Sequence, residues 1–145
     1  MIDIDPADFP RLESLGYEET SSPTDEYNCL AFAAGIDDEW WEPNRGVWPE
    51  GIGEEDSLAN LIEVYRRYGY ECCADGKLEA GYYKIVLYGI EHGGYTSYEH
   101  AARLGNDGRW YSKLGPDEDI AHASIEAVEG PLYGRALQYM RRAIQ

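Results

Sequence analysis

The chain has 145 residues, a length suited to one domain, and its 43% hydrophobic and 28% charged side chains exclude a disordered polyelectrolyte. Twelve basic against 28 acidic side chains give a formal charge of −16, a field that repels phosphate backbones and argues against nucleic-acid binding. No stretch of 18 apolar residues and no basic-then-apolar leader occurs, so the expectation is a soluble, cytoplasmic protein without membrane contact, with residues 1 to 145 forming a single domain.

In chain order, the first 26 residues combine a short helix over Ala7 to Leu15 with turns around Ser21-Ser22-Pro23. Tyr27 to Gly35 reads as a small-residue helix ended by Gly35. Two starts fit it: Asn28 as N-cap with Cys29 first in the helix, or Ser22 as cap before Pro23, which sets Cys29 a turn deeper. Residues 36 to 56 are irregular and acidic and carry Trp40, Trp41 and Trp48. From Ser57, Leu58, Leu61, Ile62, Tyr65 and Tyr68 follow helical spacing until Gly69. Tyr82 to Glu91 reads as a strand, and Tyr95 to Leu104 and Arg109 to Leu114 flank an Asn106-Asp107-Gly108 hairpin turn. If Leu104 pairs with Arg109, Lys113 sits opposite His100 and Ser112 points to the other face; a loop longer by one residue reverses the two. A short helix over Ala123 to Val128 follows. A last helix, Leu132 to Ile144, aligns Tyr133, Leu137, Met140 and Ile144. The expected class is α+β: N-terminal helices on a small antiparallel sheet of about four strands, with a C-terminal helix.

Three cysteines, two of them the adjacent Cys72 and Cys73, exclude a fully paired disulfide framework and suit reduced thiols. No Cys-x-x-Cys or His-x-x-x-His pair supports a metal. Gly93-Gly94 is too short for a phosphate loop, so no cofactor is expected. Cys29 at a helix start with His100 on a strand is the one constellation with nucleophilic chemistry. A helix N-terminus and an imidazolium both favour thiolate. Set against it, Asp25, Glu26, Asp37, Asp38 and Glu39 raise a nearby thiol pKa. A cysteine in an Ala-rich helix and a histidine beside Ala101 and Ala102 also fit a packed core.

The order helix-Cys29, helix, strand-His100, further strand resembles the minimal papain-like plan shared with NlpC-type and CHAP-type amidases. Tyr27-Asn28-Cys29-Leu30-Ala31, Trp48-Pro49, Lys84 to Tyr88, His100-Ala101-Ala102-Arg103, Ser112 to Gly115, Ile120-Ala121-His122, Glu129-Gly130 and Tyr133-Gly134 also resemble an uncharacterised bacterial domain family, over about residues 27 to 142. The papain-like resemblance implies a cysteine hydrolase or acyltransferase acting on an amide bond of a protein or peptide substrate. Cys29 would be the nucleophile, His100 the general base and acid, and Ser112 or Lys113 the supporting group. Asn28 would line the oxyanion site. Read from their own surroundings, Trp40, Trp41 and Trp48, within nine residues and among carboxylates, suit an aromatic wall of a substrate cleft for a cationic ligand and equally the packing of their segment on the core. His122 suits either the site or a cap on the short helix after it. The chain departs from that pattern where an Asn, Asp, Gln or Glu would orient the histidine, and no glutamine precedes Cys29.

Residues 1 to 60 hold 16 acidic and two basic side chains, a balance of −14, while the other 85 hold 12 acidic and ten basic, a balance of −2. That asymmetry supports a reading of another class, an acidic inhibitor or immunity-type module that engages a basic partner. An inactive papain-like scaffold that only binds is the third reading.

Overall fold

The structure, a computed structural model, describes residues 4–114 and 116–145. Its elements are α1 (Leu12–Leu15), β1 (Tyr17–Glu19), α2 (Cys29–Ala33), α3 (Leu58–Arg67), β2 (Glu71–Cys73), β3 (Tyr82–Glu91), β4 (Thr96–Leu104), β5 (Trp110–Lys113), β6 (Asp119–His122), a single 3-10 turn at Ile125–Val128, and β7 (Arg135–Ala143). The strands form one antiparallel sheet in the order β1-β6-β5-β4-β3-β7-β2. Strands β3 to β6 meander, and the chain then crosses back to lay β7 beside β3.

This architecture corrects the papain-like expectation of helices on about four strands. Among the described residues the sheet has seven strands and dominates the fold, and the expected C-terminal helix is instead the strand β7. Leu132 lies in a turn closed by the mutual backbone bonds of Gly130 and Gly134, and Gly134 takes φ 70° where a β-carbon would collide with the Gly89 carbonyl. Beyond it, Ala136 pairs with Tyr88 and Gln138 with Leu87, so Leu137 is the extra residue of a β-bulge. The bulge shifts the strand's alternation by one position and leaves a spacing in the sequence that imitates a helix.

The elements with strong local signals form as expected. The Ser57 hydroxyl accepts from the Asn60 amide at 3.2 Å to cap α3, which buries Leu61, Val64 and Tyr65. Leu61 and Val64 each contribute about 1.5–3 kcal/mol through that burial. Strand β3 spans Tyr82–Glu91, and the Asn106-Asp107-Gly108 turn joins β4 to β5. Leu104 pairs with Trp110, not Arg109, which is the longer-loop register and places Ser112 on the His100 face.

Alternation divides the sheet into two faces with separate cores. Ile85, Leu87, Ala101 and Met140 face α2 and α3 and pack with Leu30, Phe32, Leu61 and Tyr65. Val86, Tyr88, Ala102, Trp110 and Ile120 face the other way and pack with Phe9, Leu12, Val128 and Tyr133. Residues 36 to 56 lie beside the helix face, folded on themselves by the Trp41–Val47 bridge and pinned by the Asn28–Trp41 hydrogen bonds and by the Tyr98 amide donating to the Asp56 carbonyl at 2.7 Å.

Candidate functional site

On the helix face, Asn28 is the N-cap of α2. Its Oδ1 accepts from the Ala31 amide at 3.2 Å and from the Trp41 amide at 3.1 Å, while its Nδ2 donates to the Trp41 carbonyl at 2.8 Å. Asn28 therefore starts the helix and anchors the tryptophan segment, and Cys29 is the first helical residue. The Cys29 thiol lies against Ala101 of β4. Burial pushes it up to about 11, against the opposing effect of the Ala101 amide, the helix's own first amides and the Lys113 charge. Five helical residues supply too small a dipole to reverse that.

Lys113 projects to this same face. Its ammonium donates to the Asp117 carbonyl and lies 5.1 Å from the Tyr27 ring centre. Burial holds its pKa below the usual lysine value, with Asp119, Asp117 and Glu118 acting in the other direction. The Tyr27 hydroxyl donates to Asp119 Oδ2 at 2.7 Å, and burial together with that bond pushes the phenol up to about 12. A neutral thiol, an ammonium and a carboxylate–phenol pair thus share one end of the helix face.

His100 is on the other face. Its ring stacks on Tyr133 at 4.0 Å and 2° between planes and lies 5.3 Å from the Tyr88 ring, and both tyrosines belong to the second core, whereas the residues of α2 pack in the first. Its Nε2 is 2.9 Å from Ser112 Oγ, which is 2.8 Å from His122 Nε2, and His122 Nδ1 is 2.8 Å from the Ser124 carbonyl. A carbonyl only accepts, so His122 carries its proton on Nδ1 and its Nε2 must accept. Ser112 therefore donates to His122 and accepts from His100 Nε2–H. His100 Nδ1 is then bare, and it is buried without a hydrogen-bond partner among the described residues. Burial lowers both histidine pKa values, for His100 with the further effect of His122, so both rings stay neutral.

The structure does not bring Cys29 and His100 together; β4 lies between them. It splits the two supporting candidates as well, Lys113 with Cys29 and Ser112 with His100. His122 joins the histidine chain. His100, Ser112 and His122 are each at most 1% exposed, which leaves no approach for a substrate carbonyl. The three tryptophans do not form one wall. Trp41 is core, packed on Tyr65 and Tyr68 with its indole donating to Glu39. Trp40 is half-buried with Arg45 over its ring at 5.2 Å. Trp48 is half-buried, stacked on Tyr98, and its indole donates to the Gly53 carbonyl at 3.0 Å. It lines an open groove of about 440 Å³ with Pro49, Glu50 and Glu54.

The sequence reading missed Tyr27, Asp119 and Tyr133 as members of these clusters. Tyr27 and Asp119 are 92 positions apart, and the pairing of β1 with β6, continued by the Thr20 amide on the Asp119 carbonyl and the Asp119 amide on Ser21 Oγ, brings that part of the chain to Asp119. Tyr133 was hidden inside the expected helix. Among the described residues no group of three or more His, Cys, Asp or Glu is placed to hold a metal, and no helix is long and apolar enough to cross a membrane.

A family model described as a domain of unknown function (DUF7689) matches residues 18–141. No curated protein and no solved structure matches the chain. The expected place in an uncharacterised domain family is therefore met, and nothing found supports the papain-like resemblance.

Proposed function

We propose that this chain, which belongs to the DUF7689 family, works as a protein-binding module whose acidic N-terminal portion engages a basic partner. The observation that carries this reading is the surface formed by residues 37 to 56. Asp37, Asp38, Glu50, Glu54, Glu55 and Asp56 are exposed there, and the one cation of the segment, Arg45, is taken up by Glu42 at 3.6 Å and by the Trp40 ring. The acidic groups therefore present their charge outward instead of cancelling it internally. The Trp48 groove adds an aromatic wall between Glu50 and Glu54, which suits an arginine or lysine side chain laid across it. Hydrolysis at Cys29 lacks comparable support, because the thiol is held protonated and the histidine belongs to another face.

The test is to retrieve partners from the native host with the wild-type chain and with a Glu50→Gln, Glu54→Gln, Glu55→Gln, Asp56→Asn variant, then to measure Kd for the purified partner against salt. The expected partner is basic, binds the variant at least about tenfold more weakly, and weakens steeply as ionic strength rises through the range where the Debye length falls below about 10 Å. A stoichiometric partner whose affinity responds to neither salt nor the substitutions contradicts the reading.

A further inference from the structure

Where α2 runs into the acidic segment, the sheet carries a cleft of the opposite character. It measures about 300 Å³ and lies between the C-terminal end of α2, at Ala33 to Gly35, and Tyr70, Tyr83, Arg103, Leu104 and Arg142, with Lys84, itself ion-paired to Asp75 and Glu79, also on its wall. Most cations of this chain are committed to carboxylates: Arg141 to Glu71 and Glu79, Lys84 to Asp75 and Glu79, Arg109 to Asp107. Arg103 and Arg142 differ. Neither has a carboxylate partner among the described residues, although the chain carries a net charge of −16. Both are held by aromatic faces instead: Arg103 over Phe32 at 4.4 Å, and Arg142 over Tyr70 at 5.3 Å and over Tyr83 at 5.2 Å. No carboxylate lines the cleft among the described residues.

The chemistry follows from that arrangement. An aromatic face fixes the guanidinium plane but takes up none of its N–H groups, so each fork keeps its in-plane donors for an acceptor. Two such forks on one cleft match a compact dianion, which accepts several charge-assisted hydrogen bonds at once. Tyr70, Tyr83, Ala33 and Ala34 give the same cleft an apolar and aromatic wall for the remainder of the ligand.

We propose that this cleft is a binding site for a small organic dianion, a phosphate monoester or dicarboxylate on a flat apolar body, held by Arg103 and Arg142. Its lining shares no residue with the Trp48 groove, so the molecule carries two cavities of opposite charge preference.

The test is calorimetric titration of the full chain with phenyl phosphate, phthalate, inorganic phosphate and benzylammonium. Phenyl phosphate is expected to bind, inorganic phosphate more weakly for want of the apolar body, and benzylammonium not at all. Binding of phenyl phosphate without phthalate assigns the ligand to the phosphate esters; binding of both assigns the site to compact dianions in general. Arg103→Gln and Arg142→Gln should each weaken phenyl phosphate at least about tenfold. Arg103→Lys, which retains charge without the fork, should fall between. Arg135→Gln, which removes a cation paired with Glu91 elsewhere, should leave binding unchanged and serves as the folded control. The proposal is overturned if neither phenyl phosphate nor phthalate binds the wild-type chain, or if a thermally stable Arg103→Gln, Arg142→Gln double variant binds them as the wild type does.

Discussion

The two faces of the sheet hold the chain's most chemically suggestive residues in contrasting ways. The helix face surrounds Cys29 with a capped helix start, Lys113 and the Tyr27–Asp119 pair, and it keeps the thiol protonated by burial. The opposite face holds His100, Ser112 and His122 in one directed hydrogen-bond chain and keeps both imidazoles neutral by burial. Either face taken alone resembles half of a nucleophile–base site. The comparison teaches that a cysteine and a histidine become an activated pair only when they share a face, and consecutive residues on one strand cannot do so: Ala101 meets the helix, so His100 must turn away.

The separation can be sharpened by perturbing each face alone. The largest loss is expected from Asn28→Ala, which removes the α2 cap and leaves the buried Trp41 amide and carbonyl without partners; urea unfolding should show a loss of about 3 kcal/mol. Next is Ser112→Ala on the opposite face, which leaves a buried imidazole donor and acceptor unpaired and should cost about 2 kcal/mol by the same measurement. Because different cores receive the two changes, the double variant should lose close to their sum, and a coupling well above about 0.5 kcal/mol would break the comparison.

The faces should also limit stability at opposite ends of the pH scale. Folded pKa values below the unfolded value mean that the unfolded chain takes up protons first at His100 and His122 as pH falls below about 6.5. Stability should therefore drop on the acid side, by up to about 1.4 kcal/mol per pH unit for each histidine, and His100→Phe should flatten that limb. The Cys29 thiol is pushed up to about 11, so the unfolded chain loses that proton first as pH rises above roughly 8.5. Stability should fall there, and Cys29→Ala should remove that share while leaving the acid limb intact. A change in either limb caused by substitution on the other face would contradict the division.

Much of this fold was legible because the signals were local. Ser57 before a periodic apolar run, Asn106-Asp107-Gly108 between two strand patterns, and Asn28 before a small-residue run each mark a boundary by side-chain chemistry within a few residues. What was illegible depended on distant partners. Strands β1 and β2 are three residues each and exist only through pairing with β6 and β7, and the bulge at Leu137 erased the alternation that would have marked β7 as a strand. The site was readable to the same depth. The cap and the first helical position of Cys29 follow from Asn28, whereas the side taken by Ser112 turned on one residue of loop length. One signal could have placed His100: Ala101 is the small residue that lets the equally small α2 approach β4, and its neighbour must then face away.

The most direct test of the separation is alkylation of the native chain with iodoacetamide across pH 6 to 9, with peptide mapping of each cysteine, on the wild type and on His100→Phe. Exposed Cys72 serves as the internal standard. We expect Cys29 to react far more slowly than Cys72 until the chain unfolds, with the same pH dependence in both proteins. Rapid modification of Cys29 below its normal titration range, lost when His100 is replaced, would mean that thiol and imidazole meet, and would contradict the placement of these two residues on opposite faces.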